Sequence, residues 1–292
     1  MPALAALALA LSLAPGLAGA EPGLAAPATS GTSAPAPQRA VTLAPHITEL
    51  VFAAGAGSRI VGTVLSSNHP PQARDIARVG DGLLLNIETL LALRPDVVLA
   101  WTPNHVPKAQ TAVLSASGVS VQYSQPRVLD DVPAEMLRLG ELFGTTATAA
   151  PQAESLRRRI AALRERYAAR KPVSVFLDLG ETPLYTLGDD ALFNSVLAVC
   201  GGVNLYTQSK LAAPMVSPES VLARQPEVVL IAAPEHAGAR HTPWKSLKLP
   251  AALDGRLHYV APDALLRPGP RLVDAAEQVC RHLEAARQHL TQ

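Results

Sequence analysis

The chain carries no surplus of either charge. Lys and Arg total 25 against 24 Asp and Glu, a formal net charge of +1. There is thus no electrostatic case for nucleic acid or an anionic membrane as partner. It also lacks the short catalytic signatures. No Gly-x-Ser-x-Gly elbow, His-Glu-x-x-His pair or Gly-rich phosphate loop occurs, so nothing in it invites an exported hydrolase or other enzyme. Aromatic residues are scarce, at 4%. Cysteine is scarcer still, with only Cys200 and Cys280. Two sulfurs without a nearby His pair make a poor zinc site. In an exported chain such a pair is most simply a disulfide, and a free thiol pair or a metal site is the alternative. Bridged, they would stabilise by roughly 4 kcal/mol on the chain-entropy argument.

What is present begins with an apolar segment. Met1 to Ala20 contains no charged side chain and ends in Ala18-Gly19-Ala20, a small-x-small cleavage site that reads as a secretory signal peptide. Pro15 and Gly16 break the run too early for a transmembrane span. No Lys or Arg precedes it, which leaves the true start codon open, and no Cys stands nearby for a lipid anchor. Residues 21–38 are mostly Pro, Ala, Gly, Ser and Thr without periodicity, as in a disordered tether. The expectation is an exported, soluble protein.

From Arg39 onward apolar strands alternate with helices, the pattern of a parallel α/β sheet. Strands are expected at 40–43, 59–63, 97–101 and 119–123, with helices at 48–54, after Glu88, at 108–117 and at 133–143. Leu156, Ile160, Leu163 and Tyr167 then step by four, three and four, marking one amphipathic helix over 146–170 with Pro151 in its first turns. Some 22 residues at 1.5 Å each span roughly 33 Å, enough to pass from one lobe to another, and a helix resists bending. The alternation resumes with strands at 173–177, 228–232 and 257–260 and helices at 193–199, after Glu219 and at 271–288. The expected organisation is 1–20 signal peptide, 21–38 tether, 39–144 N-terminal lobe, 145–171 linking helix and 172–292 C-terminal lobe.

One phrase occurs twice. Asn86-Ile87-Glu88 runs to Pro95-Asp96-Val97-Val98-Leu99, and Ser217-Pro218-Glu219 runs to Pro226-Glu227-Val228-Val229-Leu230. In each, a Glu opens a short helix, a Pro follows seven residues later, then an acid, then a Val-Val-Leu strand. Such repetition suggests two equivalent lobes with paired glutamates. Each Glu also suits a helix N-terminus by complementing the macrodipole.

These pieces resemble the periplasmic solute-binding proteins of ABC importers that carry B12, siderophores or haem, most of all the vitamin B12-binding branch. The phrases are Val41-Thr42-Leu43-Ala44-Pro45 with Thr48-Glu49-Leu50, Pro70-Pro71-Gln72-Ala73, Asn86-Ile87-Glu88 through Ala100-Trp101, Val199-Cys200-Gly201-Gly202 with Asn204, Val216-Ser217 with Glu219 through Arg224, and Asp263 with Arg267 and Pro270-Arg271. The resemblance implies two parallel-sheet lobes joined by a single long rigid α-helix, the class III layout. It makes the compartment the periplasm and implies a monomer without enzymatic activity or a resident cofactor. It places a Cys200–Cys280 disulfide, and it makes Glu88 and Glu219 the residues that dock the two lobes on arginines of the permease dimer.

The resemblance puts the ligand in the cleft between the lobes, near Ser66, Trp101 and Tyr185 and along Asp263, Ala264, Leu265, Leu266 and Arg267. A corrinoid such as cobalamin is a large apolar macrocycle fringed with amides, suited to aromatic faces and polar rims. Here several of the family's aromatic positions hold Ser66, Gly82, Ala213 and Ala264, so haem and a ferric siderophore stand as alternatives. Trp101 also fits ordinary packing, and Asp263 with Arg267 a surface ion pair. His46, in the first strand-to-helix turn, is the candidate axial ligand for haem iron or cobalt, ahead of His69 and His105. Trp244 is a candidate rim contact. His236 and His241 lack a third ligand for zinc, and a zinc or manganese receptor of related architecture is the remaining class.

Overall fold

The structure, a computed structural model, describes residues 35–82, 84–180, 183–233 and 243–290. The expected signal peptide, nearly all of the tether, and His236 and His241 lie outside the described residues. Among these no helix is long and apolar enough to cross a membrane.

Five short strands build the first sheet: β1 (Ala40–Thr42), β2 (Ile60–Val64), β3 (Arg78–Gly80), β4 (Val97–Ala100) and β5 (Ser120–Tyr123). Their order is β3-β2-β1-β4-β5, all parallel. The helices α1 (Pro45–Ala53), α2 (Ile87–Ala92), α3 (Lys108–Ala116) and α4 (Asp131–Leu142) cover its two faces. Along β4 the sides alternate: Val97 and Leu99 enter the core with α1 and α4, while Val98 and Ala100 enter the cluster with Leu90 and Leu114. A strand buried on both faces reads as a continuous apolar run, which is why Val-Val-Leu is so visible in the sequence.

After α4 comes α5 (Thr146–Tyr167), 22 residues long, with Pro151 in its second turn. Its buried side chains include Leu156, Ile160, Leu163 and Tyr167, the four that set the apolar stripe. They join one core cluster that includes Val97 of the first sheet and Val228 of the second. Arg159 on the same helix is held by Glu277 at 2.7 Å.

The second sheet has β6 (Val173–Asp178), β7 (Gly202–Asn204), β8 (Val228–Ala232) and β9 (Leu257–Val260) in the order β7-β6-β8-β9, again parallel. Helices α6 (Ala191–Val199), α7 (Pro218–Arg224), α8 (Pro250–Leu253), α9 (Pro262–Leu265) and α10 (Arg271–Leu290) surround it. Cys200, at the end of α6, is bonded to Cys280 of α10.

The repeated phrase folds identically in both places. Asn86 caps α2 by accepting from the Thr89 N–H at 2.9 Å, and Ser217 caps α7 by accepting from Ser220 N–H at 3.2 Å. Each helix is followed by a residue in the left-handed region, Arg94 (φ 46°) and Gln225 (φ 45°). The acid before the next strand then clips the start of its neighbour. Asp96 accepts from the Arg39 N–H at 2.8 Å, and Glu227 from the Ser174 N–H at 2.6 Å. The shared acid is therefore a backbone clamp between central strands, a role separate from that of the glutamates at the helix starts.

Some boundaries differ from expectation. The first helix begins at Pro45 instead of Thr48, because Pro fits a first helical position where its missing N–H costs nothing. His46 therefore sits on the helix and not in a turn. The three-residue strands β3 and β7 and the four-residue helices α8 and α9 are too short to leave a periodic signal.

Candidate functional site

In both sheets the carboxyl ends of the strands face the other lobe. Asn68, in the loop after β2, donates through Nδ2 to Asp263 Oδ2 at 3.1 Å, in the helix after β9. Leu129, beyond β5, donates its N–H to Ser195 of α6 at 2.9 Å. Loops at this end are where open parallel sheets bind ligands, above all where the strand order reverses. The reversals fall between β1 and β4 and between β6 and β8.

Trp101 directly follows β4 and is 42% exposed; Tyr185, in the loop after β6, is equally exposed. Ser66 is exposed after β2. These three expected contacts are open to a ligand. Around them lie large apolar side chains in the same two loop sets: Leu65, Leu84, Leu211 and Met215, all at least 66% exposed. Met215 pairs with Tyr185 across an isolated antiparallel bridge, which holds the two loop segments side by side. Sequence reasoning passed over these four because a single Leu or Met in a loop carries no periodicity. Their signal is collective, an exposed apolar patch gathered at one end of two sheets. A cavity of about 140 Å³ opens beside Leu84, lined also by Leu43, Val64, His105 and Gln110. The Gln110 side-chain oxygen there is buried without a hydrogen-bond partner among the described residues.

The Asp263–Arg267 segment divides. Arg267 meets Asp263 at 2.7 Å one turn away, so the ion pair exists and also stands at the lobe junction. Ala264 and Leu266 are half-buried against the core. Leu265 is fully buried. Its side chain belongs to the core, so it is withdrawn as a ligand contact: the short α9 turns that position inward.

Two further expectations change. Trp244 is not a rim contact but the largest fully buried side chain. It packs edge-on to Phe176 at 5.4 Å and donates its indole N–H to Asp178 at 2.8 Å. His46 is 2% exposed, with Nε2 3.4 Å from the Ser124 carbonyl and its ring edge-on to Trp101 at 5.1 Å. Burial pushes the imidazole down to about 4 against the pull of that carbonyl. As an axial ligand it would have to leave this packing; here it supports the back of Trp101. Among the described residues no group of three metal-ligating side chains comes together.

The residue least visible in sequence is Glu49. Its carboxylate is almost fully buried on α1, yet it reaches the other lobe. Arg271 grips it with Nε at 2.9 Å and a terminal nitrogen at 2.6 Å, and Arg267 approaches at 3.7 Å. The hydrogen bond to Glu49 raises the Arg271 guanidinium further above its ordinary value. Nothing local distinguishes Glu49 from an ordinary helix acid, because both partners lie more than two hundred residues away.

Glu88 and Glu219 both sit exposed in the first turns of equivalent helices. Backbone N–H and the Ser217 hydroxyl hold the Glu219 carboxyl below its ordinary value, as anions at helix N-termini are held.

Comparison with known proteins agrees with this geometry. The periplasmic binding protein family matches residues 41–243. The vitamin B12-binding protein of Vibrio cholerae is 35% identical over 251 residues, 85% of this chain and 90% of that one. A crystal structure of the periplasmic vitamin B12 binding protein of Vibrio cholerae superposes with a TM-score of 0.78 over 86% of this chain and 98% of that one, at 35% identity. A periplasmic haem-binding protein from Pseudomonas aeruginosa is 27% identical, with a TM-score of 0.68 over 84% of this chain and 91% of that one. The chain belongs to the periplasmic binding protein family.

Proposed function

We propose that this chain captures cobalamin or a related corrinoid between its lobes and delivers it to the permease of an ABC importer, after export to the periplasm. The observation that carries the reading is the apolar rim. Leu65, Leu84 and Trp101 on one sheet and Tyr185, Leu211 and Met215 on the other stand exposed on loops at facing strand ends. A macrocycle with an apolar body can bury all six, and polar groups at the junction can meet its amides. The B12-binding relatives support the corrinoid over other ligands. The haem alternative needs an axial donor, and with His46 packed away against Ser124 that donor would have to be another side chain, such as the exposed Tyr185 phenol.

The test is a visible-absorption titration of the mature protein with cyanocobalamin, dicyanocobinamide and haemin. Saturable binding of the first two at micromolar or lower concentration is the expected result. Binding of haemin alone would move the chain to haem uptake, with loss of the Soret shift in Tyr185→Phe or in His46→Ala identifying the axial donor.

The twin glutamates supply the docking half of the proposal. One exposed acid at the same step of each lobe suits a two-fold symmetric partner offering arginines, and gives register more than affinity. The Glu88→Ala/Glu219→Ala variant should keep its cyanocobalamin affinity within about two-fold and lose at least ten-fold in binding to the reconstituted importer, each single variant losing less. A matching loss of ligand affinity would refute this division of roles.

A further inference from the structure

The polar groups where the lobes meet form one cluster whose charges cancel. Glu49 and Asp263 supply two carboxylates, Arg267 and Arg271 two guanidiniums, and Asn68 a neutral amide between them. Arg267 is the centre. It binds Asp263 at 2.7 Å, donates to Asn68 Oδ1 at 3.0 Å and lies 3.7 Å from Glu49. Both Asp263 oxygens are occupied, one by Arg267 and the other by Asn68. The amide of Asn68 thereby joins both members of the ion pair and fixes their orientation.

A guanidinium has five N–H donors. Arg267 uses two in the hydrogen bonds just described, so donors remain for a carbonyl oxygen. A neutral carboxamide brings that oxygen with no net charge. A carboxylate in the same place would meet Asp263 and Glu49 as well as the arginine, and like charges at such range oppose binding. A site meant for an anionic rim would leave its arginines uncompensated; this one neutralises both.

We infer that Glu49 and Asp263 make the lobe junction a specificity filter, admitting a macrocycle fringed with neutral carboxamides and rejecting one fringed with carboxylates, with Asn68 as the positioning residue. The inference rests on the corrinoid reading above and adds the rule by which one corrinoid or porphyrin is told from another. It makes selectivity depend on unfavourable charge against the wrong ligand as much as on contact with the right one.

The probes are dicyanocobinamide and dicyanocobyrinic acid, which share ring and cobalt and differ chiefly in whether the rim carries amides or carboxylates. The wild-type protein should bind the amide form at least about 100-fold tighter. Asp263→Asn uncovers the Arg267 charge and, at a half-exposed position, leaves the core intact. It should shrink that ratio about ten-fold, mainly by tightening the acid. Asn68→Asp adds a carboxylate and should widen the ratio. Equal affinity of the wild type for both probes, or a ratio that neither variant moves, would overturn the filter while leaving corrinoid binding standing. Failure of the folded protein to bind either probe would remove the corrinoid reading and the filter together.

Discussion

Arg271→Leu should lower the melting temperature by about 8–15 °C, the equivalent of about 3–5 kcal/mol in a body of this size. The reason is Glu49. Its side chain is 2% exposed and two of its hydrogen bonds come from Arg271. Removing the arginine strands a carboxylate away from water, and the remaining cation, Arg267, is already bound to Asp263 and stands at 3.7 Å. A buried pair is a poor source of net stability, yet breaking one side of it is expensive. Hence the second arm of the test. Glu49→Leu/Arg271→Leu takes out both charges and should recover most of the loss, staying more stable than Arg271→Leu alone. Thermal melts followed by circular dichroism on the three proteins decide it. A single variant melting within about 2 °C of wild type, or a double no better than the single, would show that the pair is not buried as described.

The same pair shows why some of this molecule is legible in its sequence and some is not. The α/β alternation, the long helix and the doubled phrase are local patterns. Val97-Val98-Leu99 and Val228-Val229-Leu230 are central strands with both faces covered, so every position is apolar and the run stands out. Leu156, Ile160, Leu163 and Tyr167 declare their helix by spacing alone. Glu49 shows only as part of a family phrase, and its role is hidden, since that comes from Arg267 and Arg271 on the far side of the chain. Trp244 misleads for the converse reason. It lies in a polar, Pro-containing stretch that looks like a surface loop, but the fold closes it over Phe176 and gives its N–H to Asp178. Leu265 misleads because a contact segment carried over by resemblance is continuous, whereas a helical turn points only some of its side chains outward. The apolar rim of Leu65, Leu84, Leu211 and Met215 is a property of three loops together, and no window of sequence contains it.

Replacing both cysteines, Cys200→Ala/Cys280→Ala, should lower the melting temperature by about 10–15 °C, from roughly 4 kcal/mol of lost chain constraint plus the small voids left by two sulfurs. The bridge joins positions 80 apart in sequence, and both residues are fully buried. It ties the end of α6 to α10, so the constraint acts within the second lobe. A second fastening lies close by. Arg287 on α10 donates to the Cys200 carbonyl at 2.7 Å and to the Gly201 carbonyl at 3.0 Å, the latter also accepting from the Val173 N–H at 3.1 Å. It also donates to the Lys171 carbonyl at 2.8 Å, just before β6. The helix should therefore stay docked when the sulfurs are gone, and the variant should fold at 25 °C. Ligand affinity is the discriminating readout, because Ser195, where α6 meets the first lobe, lies in the middle of that helix, more than one turn before Cys200. Cyanocobalamin affinity within about three-fold of wild type, beside a clearly lower melt, would confine the bridge to stability. An unchanged melt would mean that the bridge contributes nothing. A lower melt with lost affinity would mean instead that α6 relays the disulfide to the cleft through Ser195 and Leu129.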